Sequence, residues 1–204
     1  MTVDWDARFA AEGYVYGEEP NDFLREHAKL LRPRSRLLCV GDGEGRNGVF
    51  LAGLGHDVVS LDQSAAGLAK AEALARRRGV AVETWHVDLA DYVHHPAPVR
   101  PWDAVVSIFC HLPAELGHAV ARTLTAQTRA GGVLLLEAYT RAQPAFGTGG
   151  PKDPALLVTR AQVQDDWSEG WELDVRLVER RLNEGRLHNG LSSVVQAIGL
   201  RSRG

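Results

Sequence analysis

The chain has 204 residues, enough for one domain whose core needs neither disulfides nor a structural metal. A net charge of -3 argues against a dedicated nucleic-acid binder, which needs a concentrated basic face. No apolar run approaches spanning length and an acid, Asp4, follows the start at once, so neither a membrane helix nor a signal peptide is expected.

The two cysteines, Cys39 and Cys110, lie in separate apolar runs with no C-x-x-C spacing, which points to core thiols in a reducing compartment such as the cytoplasm. No metal-ligand spacing is present, and His94-His95 fall in a proline-rich surface loop. Arg76-Arg77-Arg78 precede Gly79, as cations do in the last turn of a helix.

In chain order, an aromatic segment comes first: Trp5, Phe9, Tyr14, Tyr16 and Phe23. It predicts a short helix, a turn through Gly17-Glu18-Glu19-Pro20, and a second helix capped by Asn21 or Asp22. Two roles fit it: packing on the sheet edge, or a lid carrying Tyr14 and Tyr16 over a ligand. Leu37 to Val40 is an apolar strand that stops at Gly41-Asp42-Gly43-Glu44-Gly45 and restarts as a helix over 47–54. Glycines there permit positive φ and let a ligand approach backbone N–H groups at a helix start. The spacing satisfies two nucleotide patterns, G-x-G-x-x-G over Gly43 to Gly48 and G-x-G-x-G over Gly41 to Gly45.

The next strand, 57–61, ends in Asp62-Gln63-Ser64, where an acid is placed to accept from ribose hydroxyls and Ser64 to cap the following helix, 65–78. A third strand, 80–87, ends at Asp88, which suits either the adenine amino group or a plain turn. The apolar strand 102–109 leads to Cys110-His111-Leu112-Pro113, so His111 faces the crevice of an open sheet as a substrate contact or proton acceptor. A helix over 114–129 and a strand over 133–139 complete a strict strand and helix alternation, hence parallel strands with helices on both faces. A long Gly/Pro loop over 140–154 and a helix over 159–167 follow. Two period-2 stretches, 173–182 and 191–198, flank a polar loop and read as a hairpin whose last strand is antiparallel. If the sixth strand is parallel to the rest, the tip brings His188 beside His111.

These residues together resemble the class I S-adenosylmethionine (SAM)-dependent methyltransferases, and within them the small group similar to the tellurite-resistance and thiopurine-type enzymes. Trp5 to Phe9 and Tyr14 to Leu24 look like that group's N-terminal cap. The resemblance implies a single domain over 1–204, with a helical cap over 1–34 and a Rossmann-like core over 35–204: seven strands, mostly parallel, the last antiparallel. It implies SAM as cofactor and S-adenosylhomocysteine (SAH) as product; the mildly acidic chain, its compact size and its aromatic cap point to a small-molecule acceptor, with a protein side chain the other option, and a monomer or weak homodimer is expected. Cofactor contacts are expected from Gly41, Asp42, Gly43, Gly45, Asn47, Asp62, Gln63, Asp88, Leu89 and Phe109. The chemistry is expected to involve His111 first, then His188, with Tyr16 shaping the site; no metal is expected. One departure is Cys39, standing where many members carry an acid. Two other readings remain open at this point, an NAD(P)-dependent oxidoreductase and a non-catalytic SAM or SAH sensor.

Overall fold

A computed structural model describes residues 3–203. The N-terminal segment forms α1 (Trp5–Phe9) and α2 (Asp22–His27), and Asn21 is the α2 cap, its side-chain oxygen accepting from Leu24 N–H. Strands β1 (Arg36–Val40), β2 (Asp57–Asp62) and β3 (Glu83–His86) alternate with α3 (Arg46–Gly53) and α4 (Ala65–Arg78). Then come α5 (Leu89–Tyr92), β4 (Trp102–Ile108), α6 (Ala114–Gln127), β5 (Thr128–Tyr139), α7 (Arg160–Asp166), β6 (Trp171–Glu184) and β7 (His188–Arg201).

The seven strands form one sheet in the order β3-β2-β1-β4-β5-β7-β6. Strands β1 to β5 are parallel, and β7 runs antiparallel to both β5 and β6. Thus β6 is parallel to β5, and the hairpin tip at 185–187 sits at the same sheet end as the glycine loop. Both hairpin strands run longer than the period-2 signal, because the pairing continues to Glu184 and His188. The third strand is shorter than expected, and β5 starts early: its regular ladder with β4 begins at Val133, after a register shift.

Alternate residues of the central strands face opposite layers. Leu38, Val40, Val105, Leu134 and Leu136 pack with Tyr92, Leu124, Trp167 and Trp171 on the α5, α6 and α7 side. Leu37, Cys39, Val106 and Leu135 pack with Phe23, Leu24 and Leu51 on the α2 and α3 side. Cys39 therefore points into an apolar layer, where burial holds its thiol well above the usual range. Both cysteines are free thiols. Helix ends follow the sequence signals: Ser64 caps α4 through Gly67 N–H, and Gly79 closes it in the left-handed region behind Arg76 to Arg78.

One buried polar network crosses the α2 and α3 layer. Glu137 of β5 accepts from Arg180 of β6 at 2.9 and 2.7 Å, from Asn21 Nδ2 at 2.6 Å and from Gln196 Nε2 at 2.7 Å. Glu184 accepts from Asn21 and Arg180, each at 3.0 Å, and pairs with Arg46 at 2.6 Å. Removing one partner of such a group strands the remaining charges, at about 3–5 kcal/mol. Glu137→Ala is thus expected to lower the unfolding free energy by about that amount in urea titration. Asp174→Ala, which breaks an exposed pair with Arg176, should change it by less than about 1 kcal/mol.

Candidate active site

Gly41, Gly43 and Gly45 have φ of 62°, 55° and 83°, the left-handed region where a side chain is strained. A Cβ on Gly43 would come within 2.9 Å of Phe9, and one on Gly45 would overlap Ala71 of α4, so the loop is pressed between α1 and α4. Gly48 lies inside α3, and a Cβ there would strike Ser60 and Asp42. The third glycine of G-x-G-x-x-G therefore serves helix and sheet packing, a role that either nucleotide pattern allows.

Asp62 ends β2 with Oδ2 accepting from Gly43 N–H and Oδ1 from Ser64 N–H, both at 2.8 Å. Each oxygen keeps a further lone pair, and burial raises the carboxyl above its ordinary value. Beside it opens a cleft of roughly 430 Å³ lined by Gln63, His86, Val87, Asp88, Asp91 and His95. Asp88 caps α5 through Ala90 N–H with one oxygen and lends the cleft the other. Leu89 is buried in the layer below.

Two side chains expected at the cofactor have partners within the fold. The Asp42 carboxylate points inward, accepting from Ser60 Oγ at 2.6 Å and from Gly48 N–H at 3.2 and 3.3 Å, so it closes the β2 and α3 seam. Asn47 Oδ1 accepts from Asn21 N–H at 3.0 Å and so holds the N-terminal segment rather than a ligand. The loop residue that reaches toward the site's cover is Glu44, which the sequence reading missed. Its carboxylate accepts from Val15 and Tyr16 N–H at 2.7 and 3.3 Å and pairs with Lys70 at 2.9 Å. Its place between two glycines of the loop was the signal in the sequence. Residues 5–19 also bond to α4 from outside, through Asp6 to Ser64, Lys70 to the Ala11 and Gly13 carbonyls, and Arg77 to Tyr14 and Glu18.

At the ends of β4 and β5 an aromatic box forms. The His188 ring lies 4.5 Å from Tyr16, 4.6 Å from Phe109 and 5.3 Å from Tyr139, centroid to centroid. Phe109 stacks on Tyr139 at 4.6 Å and holds a φ of 54°, a strained backbone value that aims its ring into the box. The hairpin tip is fastened to the N-terminal segment by Arg186 N–H donating to the Val15 carbonyl at 3.0 Å. So His188 does arrive beside His111, as the parallel sixth strand required: both pack against Tyr139.

His111, expected to be the first choice for proton transfer, has both nitrogens engaged. Its Nδ1 meets the Leu156 carbonyl at 2.9 Å and its Nε2 accepts from Tyr139 N–H at 3.5 Å. Burial holds it neutral, at about 4. His188 is also held well below the usual range, by burial first and then by Arg46, His111, Arg8 and Arg180, but its Nδ1 has no partner among the described residues. Cys110 lies against Gly41, with its thiol pushed up to about 12 by burial and Asp62, so it is no nucleophile.

With this geometry in view, the family model described as a methyltransferase domain matches residues 37–132. That match runs from β1 into the first part of β5, a little under half of the chain. A glycine/sarcosine N-methyltransferase of Halorhodospira halochloris is 40% identical over 86 residues, 42% of this chain and 29% of that protein. The chain thus matches less than a third of that relative's length. Among solved structures, one described as converting a disulfide bond into a thioacetal group during echinomycin biosynthesis has a TM-score of 0.75 at 20% identity, covering 97% of this chain and 90% of the other. TehB of Haemophilus influenzae has a TM-score of 0.69 at 17% identity, covering 98% and 66%. These two show a shared fold.

The residues fit SAM: a glycine cradle in left-handed conformation, a buried carboxylate with unused lone pairs, and an adjoining cleft with a free acid oxygen. No membrane-spanning helix exists among the described residues. Asp42 offers a check on the loop's foundation. Burial raises it to about 6 from 3.8, so between these values the folded state binds its proton more tightly than the unfolded chain. Wild type should therefore lose stability relative to Asp42→Asn as pH rises from about 4 to about 7, by roughly 3 kcal/mol, in urea unfolding at each pH.

Proposed function

We propose that this chain moves a methyl group from SAM to a small-molecule acceptor held in the aromatic box. The observation that carries the reading is the juxtaposition of the Asp62 cleft and glycine loop with a closed box bearing one unpartnered, neutral imidazole. Asp62 would hold the ribose hydroxyls, Gln63, Asp88 and the Leu89 backbone the adenine side, and Gly41, Gly43 and Gly45 the methionine end. SAM supplies an electrophilic methyl on sulfur. The chain's part is to align the acceptor for in-line approach and to exclude water.

Tyr16, Phe109 and Tyr139 wall the box, and residues 5–19 with the hairpin tip cover it, consistent with the cap assigned to residues 1–34. His188, neutral at pH 7 with a free Nδ1, is the group able to take a proton from an oxygen or nitrogen acceptor. His111 braces the strand ends through its two internal hydrogen bonds and would orient the acceptor's surroundings. A thiolate acceptor would need no base. Free thiols and a mildly acidic surface suit a monomer or weak dimer in the cytoplasm with no nucleic-acid partner.

Calorimetric titration should show saturable binding of SAM and SAH and none of NAD. In an SAH-release screen, His188→Asn should cut turnover by about 100-fold on an acceptor that must lose a proton, and by less than about tenfold on a thiolate. Full turnover of His188→Asn on an oxygen or nitrogen acceptor would remove the imidazole from the chemistry. Tighter binding of NAD than SAM would reject the transferase reading.

A further inference from the structure

Strand β6 stands at the end of the sheet, and among the described residues its one partner strand is β7. Its other side presents a row of backbone N–H and C=O groups with no strand to pair with, a template on which another chain can add. Such edges are ordinarily blunted by shortness, proline or a bulge. β6 has none of these: it runs 14 residues without proline or glycine, and its register with β7 is unbroken from Trp171 to Glu184. It carries charges instead, and Leu177, 60% exposed, stands among them.

The order of those charges selects what can pair there. Asp174 and Arg176, two residues apart and so on one face, hold each other at 2.5 and 3.1 Å. Their side chains are 50% and 72% exposed, and among the described residues each has the other as its one ion-pair partner. Leu173, Val175 and Leu177 lie on the opposite face, where Leu173 and Val175 join the apolar layer of Trp167 and Trp171. Two copies of β6 joined edge to edge and antiparallel, about a two-fold axis normal to the sheet, set like faces together, so every register centres on one residue opposite itself. Centring on Asp174, Arg176 or Glu179 opposes like charges. Centring on Leu173 sets Glu172 against Asp174, and centring on Val178 sets Arg176 against Arg180. Centring on Leu177 sets Val175 against Glu179 and Leu173 against Arg181. Centring on Val175 sets Asp174 against Arg176 of the second copy, and Leu173 against its Leu177, each twice by symmetry. The outer pairs of that register, Glu172 with Val178 and Trp171 with Glu179, oppose no like charges.

We infer that the free edge of β6 pairs with a second copy of this chain, antiparallel and centred on Val175. The exposed Leu177 is covered by Leu173 of the second copy, and the ion pair within each strand joins its mate in a cluster of four alternating charges. The paired stretch, 171–179, ends short of Arg180 and Glu184, so each protomer keeps its own box and hairpin tip, whatever reaction they serve. The interface is small, and a dissociation constant of about 10–100 μM is expected, above the concentrations of an unfolding titration, which therefore reads the monomer.

The test is sedimentation equilibrium, up to about 500 μM protein, on wild type, Asp174→Arg, Arg176→Asp and an equimolar mixture of the two variants. Both positions are exposed, so the variants should stay folded, which thermal unfolding checks. Wild type should dimerise. Either variant alone places like charges opposite each other twice across the axis and should weaken the dimer by at least about tenfold. The mixture puts arginines on one strand and aspartates on the other, so dimerisation should recover. A role confined to one strand cannot produce that recovery. A wild type that stays monomeric, a dimer that both variants leave unchanged, or a mixture that fails to recover overturns the proposal.

Discussion

The pairing of Glu137 and Glu184 with Arg180 and Arg46 is the interaction the rest of the site depends on. Two carboxylates can be buried only when opposite charges and hydrogen bonds compensate nearly every lone pair, and here Asn21 and Gln196 complete what the guanidiniums leave. The groups come from α2's cap, α3, β5, β6 and β7, so the network can form only when all five are in register. It fixes the hairpin against the glycine loop. His188 and Arg46 are in place as a result, since Glu184 is the cross-strand partner of His188.

Around that anchor the site divides into a wet half and a dry half. Beyond the end of β2 lies an open cleft whose polar groups, Gln63, His86 and Asp88, meet solvent. The box at the ends of β4 and β5 is closed by aromatic rings, and low polarity there keeps the imidazoles neutral and the phenols protonated. The cover is held differently on its two faces. Its outer contacts to α4 include exposed ion pairs, each worth little. Its inner contact is the buried Glu44, which ties Val15 and Tyr16 to the loop that would carry the cofactor.

Much of the frame was legible because it rests on local rules. The caps Asn21, Ser64 and Gly79, the alternation of strands and helices, the acid ending β2 and the closing hairpin all follow from near-neighbour chemistry or from periodicity. Cys39, which looked like a missing cofactor acid, points into the apolar layer beside Phe23 and Leu51. On that layer the buried acid is Glu137, two strands away. A single acid inside the apolar run Val133 to Tyr139 was the visible sign of it, but its partners are 43 to 116 residues distant in sequence.

What the sequence by itself determined was the backbone: which residues turn, which pair, and that a nucleotide-type loop lies at the C-terminal edge of a parallel sheet. What only the tertiary structure decided was where the loop's side chains go. Asp42 and Asn47 sit in a stretch whose pattern permits contact with a ligand, yet Ser60 and Asn21 claim them. His111 faces the crevice as the strand direction requires, yet Leu156, 45 residues later, occupies its Nδ1. The reason is that a backbone pattern is set by neighbours along the chain, whereas a polar side chain turns to whichever partner folding brings within hydrogen-bond reach.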